Sequence, residues 1–106
     1  MYDHNQIEIP ASFMALHIES GRLKPTAQRA DIARRYELCE DLAQHLCDHA
    51  RAQWQDLGIA ESDVLQRCHR GLLSGTAGVD AGEAAWVVRR LAELQGWDWT
   101  DHAPAP

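Results

Sequence analysis

The sequence predicts an all-α fold, a four-helix, bundle-like single domain with one long central helix. Three observations point there. No glycine or proline interrupts the stretch from Thr26 to Leu57, and its Ala, Arg, Glu, Leu and Gln residues favour one unbroken helix. Apolar residues recur at three- and four-residue intervals in the later segments as well. Nowhere does a period-two alternation bounded by hairpin dipeptides ask for a strand. At 106 residues the chain has the commonest size of a single domain, and one domain spanning 1–106 is expected. Its ordered core is expected over 10–99, with the Ala/Pro-rich tail 100–106 disordered.

The first element is a short helix opening at Pro10, whose fixed φ suits a first turn, and carrying Ala11, Phe13, Met14, Leu16 and His17. Gly21 and Pro25 then mark a connecting loop. Thr26 is the expected N-cap of the long second helix, which Gly58 ends. At about 100° per residue, Ile32, Tyr36, Cys39, Leu42, Ala43, Leu46, Ala50, Trp54 and Leu57 share one wide face, expected to be covered by the other helices. Arg35 falls inside that arc, where a buried guanidinium needs an acid, either Asp31 one turn earlier or a carboxylate from another helix.

A third, shorter helix starts at Ser62-Asp63 and aligns Val64, Leu65, Cys68 and Leu72 on one side. The Gly/Ser/Thr-rich segment from Gly71 to Gly78 reads as a connection, since no lysine follows its glycines as a phosphate loop requires. Asp80 and Glu83 have capping-box spacing and open a fourth helix through Ala84, Val87, Val88, Leu91 and Leu94, stopped by Gly96. Trp97 and Trp99 are expected to fold back on the helix they leave, the alternative being that they extend the Trp86 surface.

A formal net charge of -6 disfavours nonspecific binding to nucleic acid or an anionic membrane, which relies on clustered Lys and Arg. Cys39, Cys47 and Cys68 are an odd set without CxxC spacing, and Cys39 and Cys68 fall on faces assigned to the core; such usage fits a reducing compartment. The N-terminal residues lack a basic region followed by an apolar run, and a soluble, cytoplasmic protein is expected.

Asp41, His45 and His49 are spaced i, i+4, i+8, so two imidazoles one turn apart could share a transition metal. Leu46 occupies the position where HExxH proteases carry their general base, so hydrolysis does not follow from the row. Gln66, Arg67, His69 and Arg70 could line a DNA-recognition helix, but the acidity of the chain argues against it. On the last helix Trp86 is expected to face outward beside Arg89 and Arg90, a composition typical of interface hot spots. The leading expectation is a non-catalytic interaction or regulatory module. It would bind another protein or itself through Trp86, Arg89 and Arg90, with the polar face of Glu37, Glu40 and Asp41, and use no cofactor. The alternative is a metal-responsive protein using the Asp41, His45, His49 row.

Arg35-Tyr36-Glu37-Leu38-Cys39-Glu40-Asp41-Leu42-Ala43, read with Glu83-Ala84-Ala85-Trp86-Val87-Val88-Arg89-Arg90-Leu91-Ala92-Glu93-Leu94, resembles a group of short proteobacterial proteins of unknown function. Some of these carry the label "ATPase with chaperone activity". Pro10-Ala11-Ser12-Phe13, Gly21-Arg22 and Asp63-Val64-Leu65 share in the resemblance, which runs from Pro10 to Trp97. It implies a compact bacterial domain without known chemistry and brings no catalytic residues. The label implies nucleotide hydrolysis; the chain has no Walker A lysine and no room for a βαβ nucleotide-binding unit.

Overall fold

The computed structural model describes residues 8–17 and 29–99. Helix α1 spans Ala11–Met14 and tightens into a 3₁₀ turn at Ala15–His17. Helix α2 spans Arg29–Leu57, α3 Glu61–Leu73 and α4 Ala81–Gln95. The fold is all-α, and among the described residues there is no strand. Thr26, the Gly21–Pro25 loop and the 100–106 tail lie outside the described residues. The chain divides into two units, Met1–Leu38 and Cys39–Pro106, and α2 runs without a break through the boundary.

In the first unit Pro10 sits at the N-cap of α1, and its carbonyl accepts the amides of Phe13 and Met14, both at 3.0 Å. Phe13 is fully buried, edge-on to Tyr36 with ring centroids 5.7 Å apart and tilted against His17 at 5.4 Å. Aromatic pairs prefer such non-parallel geometry because positive ring edges meet negative faces. Ile32 and Ala33 of α2 are buried too. The carboxylate of Asp31 bonds Arg34, and Arg35 is half-buried.

In the second unit α3 packs on α4. The buried side of α3 is Val64, Leu65, Cys68 and Leu72, as its periodicity predicts. The helix begins earlier than expected, with Ala60 rather than Ser62 at the N-cap, and its carbonyl accepts the amides of Asp63 and Val64. Helix α4 is held at both ends. Asp80 accepts the Glu83 amide at 2.8 Å while the Glu83 carboxylate accepts the Asp80 amide at 3.0 Å, closing the capping box. At the other end Gly96, at φ 75°, lets the Trp97 amide reach the Ala92 carbonyl at 2.9 Å and its own amide reach Glu93 at 3.1 Å. This doubly bonded stop needs a left-handed residue, hence glycine.

Burial is deepest on α4. Glu83, Ala84, Trp86, Val87, Val88, Leu91 and Ala92 are all buried, covering about two-thirds of the helix circumference at 3.6 residues per turn. The long α2 is buried less evenly within this unit: Cys39, Ala43 and Ala50 are covered, Leu42 and Leu46 half-covered. Its last turn is the exception to the predicted face. Trp54 and Leu57 remain 39% and 55% exposed, because the chain leaves α2 at Gly58 and α3 does not begin until Glu61.

Candidate functional site

Trp86, expected to face outward, is buried. Trp86 is only 7% exposed, since the buried arc of α4 is wider than the Val87, Leu91, Leu94 stripe and takes in the indole at its edge. Arg89 is exposed. Arg90 and Glu40, each expected on a partner-facing surface of its own helix, engage each other: Nε donates to the Glu40 carboxylate at 2.9 and 3.2 Å, and Nη2 donates at 3.2 Å. A further donor, Nη1, reaches Glu93 at 3.1 Å, and Gln44 donates to Glu40 at 2.8 Å. Burial alone would raise the Glu40 carboxyl, but the Arg90 and Gln44 bonds and the guanidinium charge outweigh it and hold the group below its ordinary value. The hydrogen bond to Glu40 correspondingly lifts Arg90 above its own. This network ties α2 to α4, helped by Gln95, whose amide donates to the Cys47 carbonyl at 2.7 Å.

Glu37 and Asp41 are exposed on α2, as are His45 and His49 of the proposed metal row. His45 Nδ1 lies 2.8 Å from the Asp41 backbone carbonyl of its own helix. Among the described residues no three His, Cys, Asp or Glu side chains gather closely enough to share a metal ion. The thiols are partly or fully withdrawn: burial raises Cys68 and Cys47 above the ordinary thiol value, and Cys47 Sγ is 3.4 Å from the Ala43 carbonyl.

Two other features emerge. One is an aromatic corner at the end of α2. Trp97, turned back by the Gly96 stop, lies against Trp54 with ring centroids 5.8 Å apart. Leu57, three residues beyond Trp54 on the same side, is exposed, and the carboxylates of Asp56 and Asp98 are exposed beside them in sequence. The fold-back of Trp97 is legible from Gly96; the exposure of Trp54 is not, because its spacing matches the buried face.

The other feature is a groove between α2 and α3 of about 250 Å³. Leu42, Leu46, His49 and Gln53 line it from α2 at alternating four- and three-residue steps, so one seam is apolar at its first half and polar at its second. From α3 come Arg67, Cys68, Gly71 and Leu72. Gln53 Oε1 is shielded from solvent and has no hydrogen-bond partner. The signal for this groove was present in the polar breaks, His49 and Gln53, along an otherwise apolar seam.

No helix among the described residues is long and apolar enough to cross a membrane. No protein-family model, curated protein or solved structure matches the chain.

Proposed function

We propose that the chain is a non-catalytic interaction module that docks a protein partner on the Trp54, Leu57, Trp97 corner. The partner presents an apolar segment flanked by Lys or Arg. The observation that carries this reading is the half-exposed indole of Trp54, backed by Trp97 and adjoined by exposed Leu57. Tryptophan in a largely desolvated patch is the residue that most often dominates binding energy at an interface. Exposed Asp56 and Asp98, in a chain of net charge -6, favour a basic rim on the partner. Arg90 and Glu40 contribute indirectly, by fixing α4 against α2 and so placing the end of α4 beside the end of α2.

A photo-reactive phenylalanine at position 57, introduced in the native cell, tests the reading. One dominant adduct is expected, mapping to an apolar segment bordered by Lys or Arg and lost on Trp54→Ala. Adducts no different from those formed with the reactive group at exposed Gln55, or only with another copy of the chain, would overturn it.

A further inference from the structure

The apolar patch at the end of α2 is short along the helix and wide across it. Trp54 and Leu57 lie about 4.5 Å apart along the axis, at 1.5 Å per residue, and α2 ends at Leu57. One turn before Trp54 the surface becomes polar at exposed Arg51, which is held by Gln95 at 3.3 Å and Asp48 at 3.9 Å. The patch extends sideways instead, from Trp54 to half-buried Trp97, with ring centroids 5.8 Å apart and planes tilted by 57°. Neither indole N–H makes a hydrogen bond to a described residue.

That outline separates the ways in which a peptide docks. Strand addition requires an open sheet edge, and there is no strand among the described residues. An amphipathic helix with anchors at i, i+4 and i+7 needs an apolar seam about 10 Å long, about twice what the end of α2 offers. A polyproline II strand needs only a ledge of aromatic rings. Two of its residues rise about 6 Å, close to the 5.8 Å step between the indoles. Its carbonyls make no internal hydrogen bonds, so they are acceptors for the indole N–H donors. Such a strand is extended before it binds, loses little entropy on docking and can be held by a small contact. Charge adds a preference: exposed Asp56 and Asp98 adjoin Leu57 and Trp97 in sequence, while the charge of Arg51 is offset by Asp48.

We propose that the partner segment docked at this corner is a proline-rich strand in polyproline II conformation, with a Pro-x-Pro step seated on Trp54 and Trp97 and a basic residue beside it. This inference rests on the docking reading above and names the partner's chemistry.

Three synthetic peptides test it against the full chain, followed by amide and indole N–H chemical shifts. The first alternates alanine and proline over eight residues and carries two arginines at one end. The second replaces every proline by alanine and so is free to coil into a helix. The third keeps the prolines and replaces the arginines by glutamates. The first should bind at submillimolar concentration, with the largest shifts at Trp54, Leu57 and Trp97. The second should bind at least about tenfold more weakly, and the third about three- to tenfold more weakly. Asp98→Asn should narrow the gap between the first and third. Trp54→Ala should abolish binding of the first while helix content by circular dichroism is retained, and Leu73→Ala, at the far end of α3, should bind as wild type. The proposal is overturned if the proline peptide does not bind at millimolar concentration, if the alanine peptide binds as well or better, or if the shifts lie elsewhere. The docking reading fails separately. A dominant adduct at position 57 with a segment lacking proline would overturn the polyproline assignment and leave docking standing. Peptide binding without any cellular adduct would support the preference for proline and count against docking of a native partner.

Discussion

Replacing Glu40 by glutamine keeps the shape and the neighbour Gln44 but removes the charge that Arg90 faces across α2 and α4. The size of the effect follows from the contacts. Hydrogen bonds to a charged group contribute about 1.5–3 kcal/mol when shielded, whereas solvent-exposed ion pairs contribute about 0–1 kcal/mol. Glu40 and Arg90 have side chains 20% and 34% exposed, so solvent screening discounts the upper range. Arg90 also keeps its bond to Glu93 after the substitution, which caps the loss. A coupling of about 1 kcal/mol results, equivalent to about 4–8 °C in Tm for a chain of this size. The assay is thermal unfolding by far-ultraviolet circular dichroism of wild type, Glu40→Gln, Arg90→Gln and the double variant, arranged as a cycle. Because the folded-state value of Glu40 lies below the unfolded one, its stabilisation is present above the ordinary carboxylate range. It disappears as pH falls through the lowered folded value. Additive single substitutions, or a wild-type advantage that persists in strong acid, would refute the assigned role of this pair.

Three further outcomes follow from other parts of the fold. Asp80→Ala leaves the Glu83 amide without its acceptor and should cost about 1 kcal/mol in urea unfolding, while Asp80→Asn should retain most of that stability. Leu65→Ala, at a fully buried position on α3, should cost about 2–5 kcal/mol in the same assay, against less than about 1 kcal/mol for exposed Leu73→Ala. Cys68, whose thiol burial raises above the ordinary value, should react with a thiol-directed reagent far more slowly in the native chain than in denaturant. Its raised folded value also means that stability falls as pH climbs past the unfolded thiol value, a decline that Cys68→Ala should lessen.

How much of this was legible depends on how local the determinant is. The Asp80-Glu83 box and the Gly96 stop are set by residues a few positions apart, and the structure reproduces both. The buried face of α3 follows from periodicity because one side of a short helix packs on α4. Trp86 misleads since a helix covered over two-thirds of its surface has no single apolar stripe, so a wheel centred on Val87 and Leu91 pushes the indole outward. Trp54 and Leu57 mislead in the opposite sense, because periodicity records which face is apolar and not how far along α2 its cover extends. Likewise nothing local connects Glu40 with Arg90, fifty residues apart, or brings Arg67 to the groove that Gln53 lines. Those pairings exist only once α2 has been placed against α3 and α4.

The reassignment of the outward-facing aromatic from Trp86 to Trp54 is the step on which the proposed docking corner rests, and single-tryptophan variants test it directly. With the other three tryptophans replaced by phenylalanine, Trp86 should emit at short wavelength and resist iodide quenching. Trp54 should emit further to the red and be quenched several-fold more strongly, in keeping with their difference in exposure. A readily quenched, red-shifted Trp86 together with a protected Trp54 would contradict the account.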